Sequence, residues 1–157
     1  MENQMQIFEN KDFGKVRVVE IDGVTWFVGK DVTDILAYQN NRDALRVHVD
    51  DEDKSNVVIH DGRQNRKMVI INESGLYSLI LSSKLPAAKA FKRWVTSEIL
   101  PSVRRNGLYV TDDALKKLFY DSEFANKLFS QILTERKKKK RCTNTLKKSP
   151  PKRGITI

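Results

Sequence analysis

Residues 15–38 read KVRVVEIDGVTWFVGKDVTDILAY, and the spacing of their apolar side chains changes halfway along. Up to Val28, two runs rich in β-branched and aromatic residues flank Asp22-Gly23. That dipeptide fits a type I′ turn, in which both central residues take positive φ and the strands keep their right-handed twist. The first run carries apolar residues at both parities, so its strand is expected to be buried on much of both faces. After Gly29 the period becomes helical. Val32, Ile35 and Leu36 fall at i, i+3 and i+4, with Asp31 as the expected N-cap. The stretch is therefore a strand, a tight turn, a strand and a helix.

The same order returns in residues 55–83. Val57, Val58 and Ile59 lead out and Met68 to Ile71 lead back, with a basic connection from His60 to Lys67 that carries Gly62. A helix follows, with Leu76, Leu79 and Ile80 inward and Asn72 or Ser74 as its cap. Between the two units, NNRDALRVHV (residues 40–49) reads as a short helix capped by Asn40 or Asn41, with Leu45 and Val49 on its inner face. MQIFEN (residues 5–10) reads as an edge strand. Two hairpins, each followed by helices, give an α+β fold.

Further along, LPAAKAFKRWVTSEILPSVRRNGLY (residues 85–109) is a longer helix opened by Pro86. Its apolar stripe is Phe91, Val95, Ile99 and Val103, with Trp94 beside it. Pro101 should bend or restart it, and Asn106-Gly107 should stop it. Residues 110–135 form an amphipathic helical linker with Thr111 and Ser122 as N-caps. Its narrow stripe of Phe124, Leu128 and Ile132, flanked by Phe129 and Leu133, suits a partner helix, so residues 122–133 are a candidate for homo-oligomerisation. Residues 136–157 have no period and little apolar content, and are expected to be a disordered basic tail.

Charge is unevenly spread over the 157 residues. Residues 1–110 hold 16 Lys and Arg against 15 Asp and Glu, residues 111–135 hold 3 against 5, and residues 136–157 hold 10 against none. The net charge of +9 thus belongs to the tail, and any nucleic-acid surface on the folded part must come from clustering. The single cysteine, Cys142, forms no internal disulfide, and no signal pattern or apolar run of membrane-spanning length occurs. A cytoplasmic protein that does not enter membranes is expected.

Catalytic and metal motifs fail at defined positions. A P-loop needs Gly where Val24 stands and Ser or Thr where Asp31 stands. The acidic run from Asp50 to Asp53 lacks the calcium-loop pattern, because Asn56 and Gly62 occupy the positions that require Gly and Glu. His48 and His60 stand alone. No enzyme, cofactor or metal is expected. Lys30 remains of interest, because a lysine at the start of a helix is unfavourable unless an anion such as a phosphate lies near it. The alternative is a solvated lysine at a turn.

Three groups of basic residues stand out. Lys89, Lys92 and Arg93 share one face of the long helix. Arg63, Arg66 and Lys67 lie in and beside the second hairpin connection, with Gln64 able to reach base edges. Arg42 and Arg46 are one turn apart on the short helix. A helix with a basic hairpin suits duplex DNA: Lys30, Arg63, Lys67, Lys89, Lys92 and Arg93 would meet phosphates, and Gln64, Arg66 or Arg42 would meet bases.

WFVGKDVTDILAY, NRDALRVHVDDEDK and VIINESGLYSLILSSKLPAAKAFKRWVTSEILPSVRRNGLY, in this order and spacing, resemble the Bro-N domain of prophage antirepressors and of BRO proteins from large DNA viruses. The resemblance covers residues 6–109 and places a Bro-N-like domain in residues 1–109. It implies a small α+β DNA-binding domain acting in phage or viral gene regulation, followed by a helical linker and a second domain. Double-stranded DNA is the implied partner, and a phage repressor protein is the partner under the rival reading of a module that sequesters a repressor without touching DNA. The pattern is left after Glu135, where lysines stand in place of a second domain. The adenine-rich codons of Lys137 to Lys140 make this run a candidate frame-shift point, which the nucleotide sequence tests.

Overall fold

The computed structural model describes residues 5–10, 14–60 and 62–148. The chain divides into two compact units, Met1–Arg105 and Asn106–Ile157. The first carries a five-stranded antiparallel sheet of β1 (Met5–Asn10), β2 (Gly14–Ile21), β3 (Val24–Val28), β4 (Lys54–His60) and β5 (Asn65–Ile71), in the order β1-β2-β3-β5-β4. Its helices are α1 (Gly29–Ile35), α2 (Asn41–His48), α3 (Glu73–Ser82), α4 (Pro86–Trp94) and α5 (Leu100–Asn106). The α+β class expected from the two strand–strand–helix repeats is the observed one.

The first hairpin closes as its sequence demands. Asp22 and Gly23 have φ of 52° and 75°, and Ile21 pairs directly with Val24. In the second hairpin the strands run further than expected, to His60 and from Asn65, which pair with each other. The connection therefore shrinks to residues 61–64, and Arg66 and Lys67 belong to β5. The β-branched run up to Ile59 and the return from Met68 extend each other's ladder, and Gly62 at φ 88° supplies the bend. In β2, Val19 is buried while Val16, Arg17 and Val18 are half-buried, so one face is closed more fully than the other.

The two hairpins join through only two residue pairs, Phe27 with Ile71 and Val28 with Ile70. Phe27 and Ile71 face the helices. There Ile71, Leu79, Val32, Leu45 and Val49 form the main core, with Phe27, Leu76 and Ile80 packed against it. Val28 and Ile70 face the other way, into a cluster built wholly from strand residues of both hairpins, including Trp26, Val57 and Met68. The alternation of a strand thus feeds two cores from one junction.

Local capping follows the sequence at α2 and α3. Asn40 accepts from the Asp43 N–H at 3.1 Å, and Asn72 accepts from the Gly75 N–H at 2.9 Å. It departs from the sequence at α1. Val28 is the N-cap residue, Gly29 and Lys30 already lie in the helix, and Asp31 is in the first turn. Asp31 makes no cap because Arg17 takes its carboxylate. Gly29 is buried for a packing reason: a Cβ there would stand 2.9 Å from Leu45 Cδ2 and 3.3 Å from the Val69 carbonyl oxygen.

The helix over residues 86–106 is interrupted by a π-helical turn, Val95–Ile99, just before Pro101. Proline lacks the N–H that would continue the ladder, and Thr96 Oγ1 donates back to the Lys92 carbonyl at 2.8 Å. The stripe expected to be buried is only partly covered. Phe91, Val95 and Ile99 are half-buried, and Trp94 and Val103 are exposed. Phe91 stacks on Tyr77 with ring centroids 6.3 Å apart.

The second unit holds α6 (Asp112–Tyr120) and α7 (Ser122–Lys148), which pack on each other. Thr111 caps α6 as expected. Asp121, not Ser122, caps α7, accepting from the Phe124 N–H at 3.0 Å. The segment read as a disordered tail begins as helix, because α7 continues through residues 136–148. Lysine and arginine are good helix formers, and cations near a helix C-terminus complement its dipole. Residues 149–157 lie outside the described residues. Among the described residues no helix is long and apolar enough to cross a membrane.

The packing at Gly29 gives a direct test. Gly29→Ala is expected to lower the unfolding free energy by about 1–3 kcal/mol through overpacking against Leu45 and the β5 backbone. Urea unfolding measures this, and an unchanged midpoint would contradict the close approach of α1 to β5.

Candidate nucleic-acid interface

β3 ends at Val28 and the chain turns into α1, so β5 from Asn65 to Val69 has a strand neighbour only on its β4 side. The space that β3 vacates is a notch of about 450 Å³ between α1, α2 and β5. Val28, Leu45, Met68 and Val69 make its floor. Its rim is cationic: Arg17, Lys30, Arg42, Arg46, Lys54 and Lys67 all line it.

Three of the six cations are neutralised within the fold. Arg17 clamps Asp31, donating from Nη2 to Oδ1 at 2.6 Å, from Nε to Oδ2 at 2.8 Å and from its backbone N–H to Oδ2 at 3.0 Å. The pair is largely enclosed, with side chains 29% and 15% exposed. Arg46 pairs with Asp43 one turn away on α2. Lys54 reaches Asp51 at 3.2 Å and the Leu45 carbonyl at 3.2 Å, which ties β4 to the last turn of α2. Lys30, Arg42 and Lys67 hold no ion pair among the described residues. Asp31 lies beside Lys30 but is taken by Arg17, so three cations outside these ion pairs surround one concavity, an arrangement in which field lines converge between low-dielectric walls.

Burial by itself would raise the Asp31 carboxyl above the ordinary carboxylate range. The side-chain and backbone hydrogen bonds from Arg17, with the charges of Arg17 and Lys30, outweigh it and hold the group below that range. The Arg17 guanidinium is raised in turn by its hydrogen bond to Asp31. The clamp fixes β2 to the start of α1, and so fixes where Lys30 stands.

Of the residues singled out in the sequence, Lys30, Arg42, Arg46 and Lys67 come together in the notch, although 37 positions separate Lys30 from Lys67. Arg63, Gln64 and Arg66 lie at the end of the β4–β5 hairpin and do not line it. With its amide turned so that oxygen faces the guanidinium, Gln64 accepts from Arg66 Nε at 3.2 Å and Nη2 at 3.1 Å. Arg66 and Lys67 project from opposite faces of β5 by strand alternation. Lys89, Lys92 and Arg93 are exposed on α4, which packs on α3 and lines a separate apolar groove of about 340 Å³ with α1 and α3. A single reader made of α4 and the hairpin is therefore not assembled around the notch. Sequence reading missed Arg17 and Lys54. Arg17 lies on a strand far from its partner, and its only signal was a charged residue in an otherwise apolar run. Lys54 was hidden among the acids that precede it.

The family model for the BRO family, N-terminal domain, matches residues 15–101. The chain is 37% identical over 111 residues to an uncharacterized protein of Haemophilus influenzae, covering 69% of this chain and 55% of that protein. It is 35% identical over 136 residues to the Bro-N domain-containing protein 289L of Invertebrate iridescent virus 6, covering 73% of this chain and 33% of that protein. A third relative is the Bro-N domain-containing protein ORF2 of Autographa californica nuclear polyhedrosis virus, 34% identical over 126 residues, covering 70% of this chain and 38% of that protein. The chain thus spans between a third and about half of the length of these relatives. No solved structure matches it.

Because Asp31 is held below the ordinary carboxylate range, its stabilising effect is complete above about pH 5 and is lost as pH falls through its lowered value in the folded state. Asp31→Asn is expected to cost about 1–3 kcal/mol at pH 7 and to flatten the loss of stability between about pH 5 and 3. Thermal melts across that range give the answer, and parallel acid limbs in the two proteins would remove Asp31 from the account.

Proposed function

The chain belongs to the BRO family through its N-terminal domain, and from that premise we propose that it is a non-catalytic, DNA-binding regulator of phage or prophage gene expression, of the antirepressor type. The observation that carries this reading is the notch with its three cations outside any ion pair among the described residues, Lys30, Arg42 and Lys67. They come from three different elements and stand outside the ion pairs of the fold, the acid beside Lys30 being already clamped by Arg17, in a unit whose charges are otherwise nearly balanced. Phosphate groups of a duplex supply the anions such a site lacks, and their neutralisation releases counterions. In this reading the notch holds a backbone segment. The hairpin end, with Arg63, Gln64 and Arg66, reaches along the same duplex toward base edges. Arg46 is the reserve cation, since an exposed pair with Asp43 gives up its partner at little cost.

A second reading rests on a different feature. The apolar groove between α1, α3 and α4, lined by Val32, Leu36, Leu76, Ile80, Leu85 and Phe91, suits a protein segment better than a polyanion. It supports the rival, a module that sequesters a repressor and leaves DNA alone.

Duplex binding by the whole chain across a salt series separates the two. Replacing Lys30, Arg42 and Lys67 together with Ala is expected to weaken binding and to reduce the slope of log K against log salt by about 3. The basic segment from residue 136 still contributes attraction in both proteins, so the change in slope is the reading that counts. Identical slopes in the two proteins would take DNA away from the notch and leave the repressor-binding reading.

A further inference from the structure

The second unit cannot close a core by itself. α6 packs on α7, and Ala114, Leu118, Phe124, Ala125 and Leu128 are only half-buried. The rest of the apolar stripe on α7 is uncovered. Phe129 and Leu133 are 57% and 59% exposed, and Ile132 is exposed beside them. A helix pair with no fully buried residue among those described buries too little to offset the entropy of ordering it, and three large apolar residues clustered on one helix face call for a cover.

Charge says what the cover is. α7 is acidic at its start, with Asp121 at the cap and Glu123 in the first turn, and carries an unbroken basic run from Arg136 to Arg141 beyond its apolar stripe. A second copy laid parallel would set the two basic runs side by side. Laid antiparallel, a register that places Phe129 beside Ile132 of the other copy also places Leu128 beside Leu133. On the face that carries the stripe, the same register brings Asp121 opposite Lys140, and the two-fold axis repeats the pair at the other end. The apolar contact and the charge contact thus select the same arrangement.

We propose that α7 is a self-association helix whose exposed stripe of Phe129, Ile132 and Leu133 is covered by a second copy of this chain in antiparallel orientation. The interface is isologous, with Phe129 and Ile132 at its centre, where buried aromatic and aliphatic anchors contribute most. The ion pairs at its two ends are exposed and set orientation more than strength. The consequence for the whole protein is two copies of the first unit per assembly.

Sedimentation of the full chain at micromolar concentration tests association, and spin labels test orientation. The wild-type chain is expected to sediment as a dimer. Phe129→Glu with Ile132→Glu is expected to leave a monomer whose first unit melts unchanged. For orientation, a nitroxide is placed at Ser122→Cys in a Cys142→Ser background. The antiparallel register separates the two labelled positions by about 25 Å along the helix axis, whereas a parallel pair brings them to about 10 Å. A monomeric wild-type chain, or a dimer indifferent to the two glutamates, would overturn the self-association. The short label distance would overturn the antiparallel arrangement, as would a dimer that tightens with added salt. Capture of the stripe by the apolar groove of the first unit would show as a monomer in which the double variant exposes Phe91 and Leu76, and it too would defeat the proposal.

Discussion

Two residue pairs, Phe27 with Ile71 and Val28 with Ile70, hold the two hairpins in one sheet, and most of the first unit follows from how short that junction is. A longer ladder would have carried β3 alongside the whole of β5. Instead the chain leaves the sheet at Gly29 and enters a helix, which leaves β5 uncovered along one edge and opens the notch. The same two pairs divide the apolar side chains between two cores, because successive residues of a strand point to opposite faces. Ile70 and Ile71 are both fully buried, one in each core. The absence of a side chain at Gly29 lets α1 come down onto Leu45 and the Val69 carbonyl, and the Arg17–Asp31 clamp holds the bend from the other side.

The elements were readable where local chemistry decides structure. Asp22-Gly23 announces its turn through the positive φ that both residues adopt, and Asn40 and Asn72 announce helix starts through the N–H groups they accept from. The departures come from partners distant in sequence. Asp31 has the residue type of an N-cap, and only the fold shows that the helix starts two residues earlier and that Arg17 has claimed its carboxylate. The run of lysines after Glu135 has the composition of a disordered tail, yet a helix already running continues into it, because propagation is favourable once nucleation is complete. The stripe on residues 91–103 has helical spacing, but spacing does not say that anything lies against it, and Trp94 and Val103 are in fact exposed.

The candidate site shows the same division. Lys30, Arg42, Arg46 and Lys67 were each visible as basic residues, but not as neighbours. Their meeting depends on α1, α2 and β5 converging where β3 stops. Which of the cations stay outside the ion pairs depends on Asp31, Asp43 and Asp51, acids that the sequence offers to several lysines and arginines at once. Lys89, Lys92 and Arg93 made the stronger cluster on paper because a helix places them on one face. α4 carries them on a different part of the unit, beside an apolar groove. The family match, residues 15–101, falls within the first unit, so the notch belongs to the part shared with relatives, and α7 to the part outside the match.

The central claim is that the notch between α1, α2 and β5 is the saturable anion site, the lysine-rich end of α7 adding only nonspecific attraction. Backbone amide shifts of the isotopically labelled chain, followed as a short duplex is added, test it most directly. The account predicts that the largest saturable changes fall at residues 28–31, 41–46 and 65–69. Changes confined to residues 136–148, or centred on α4, would contradict it.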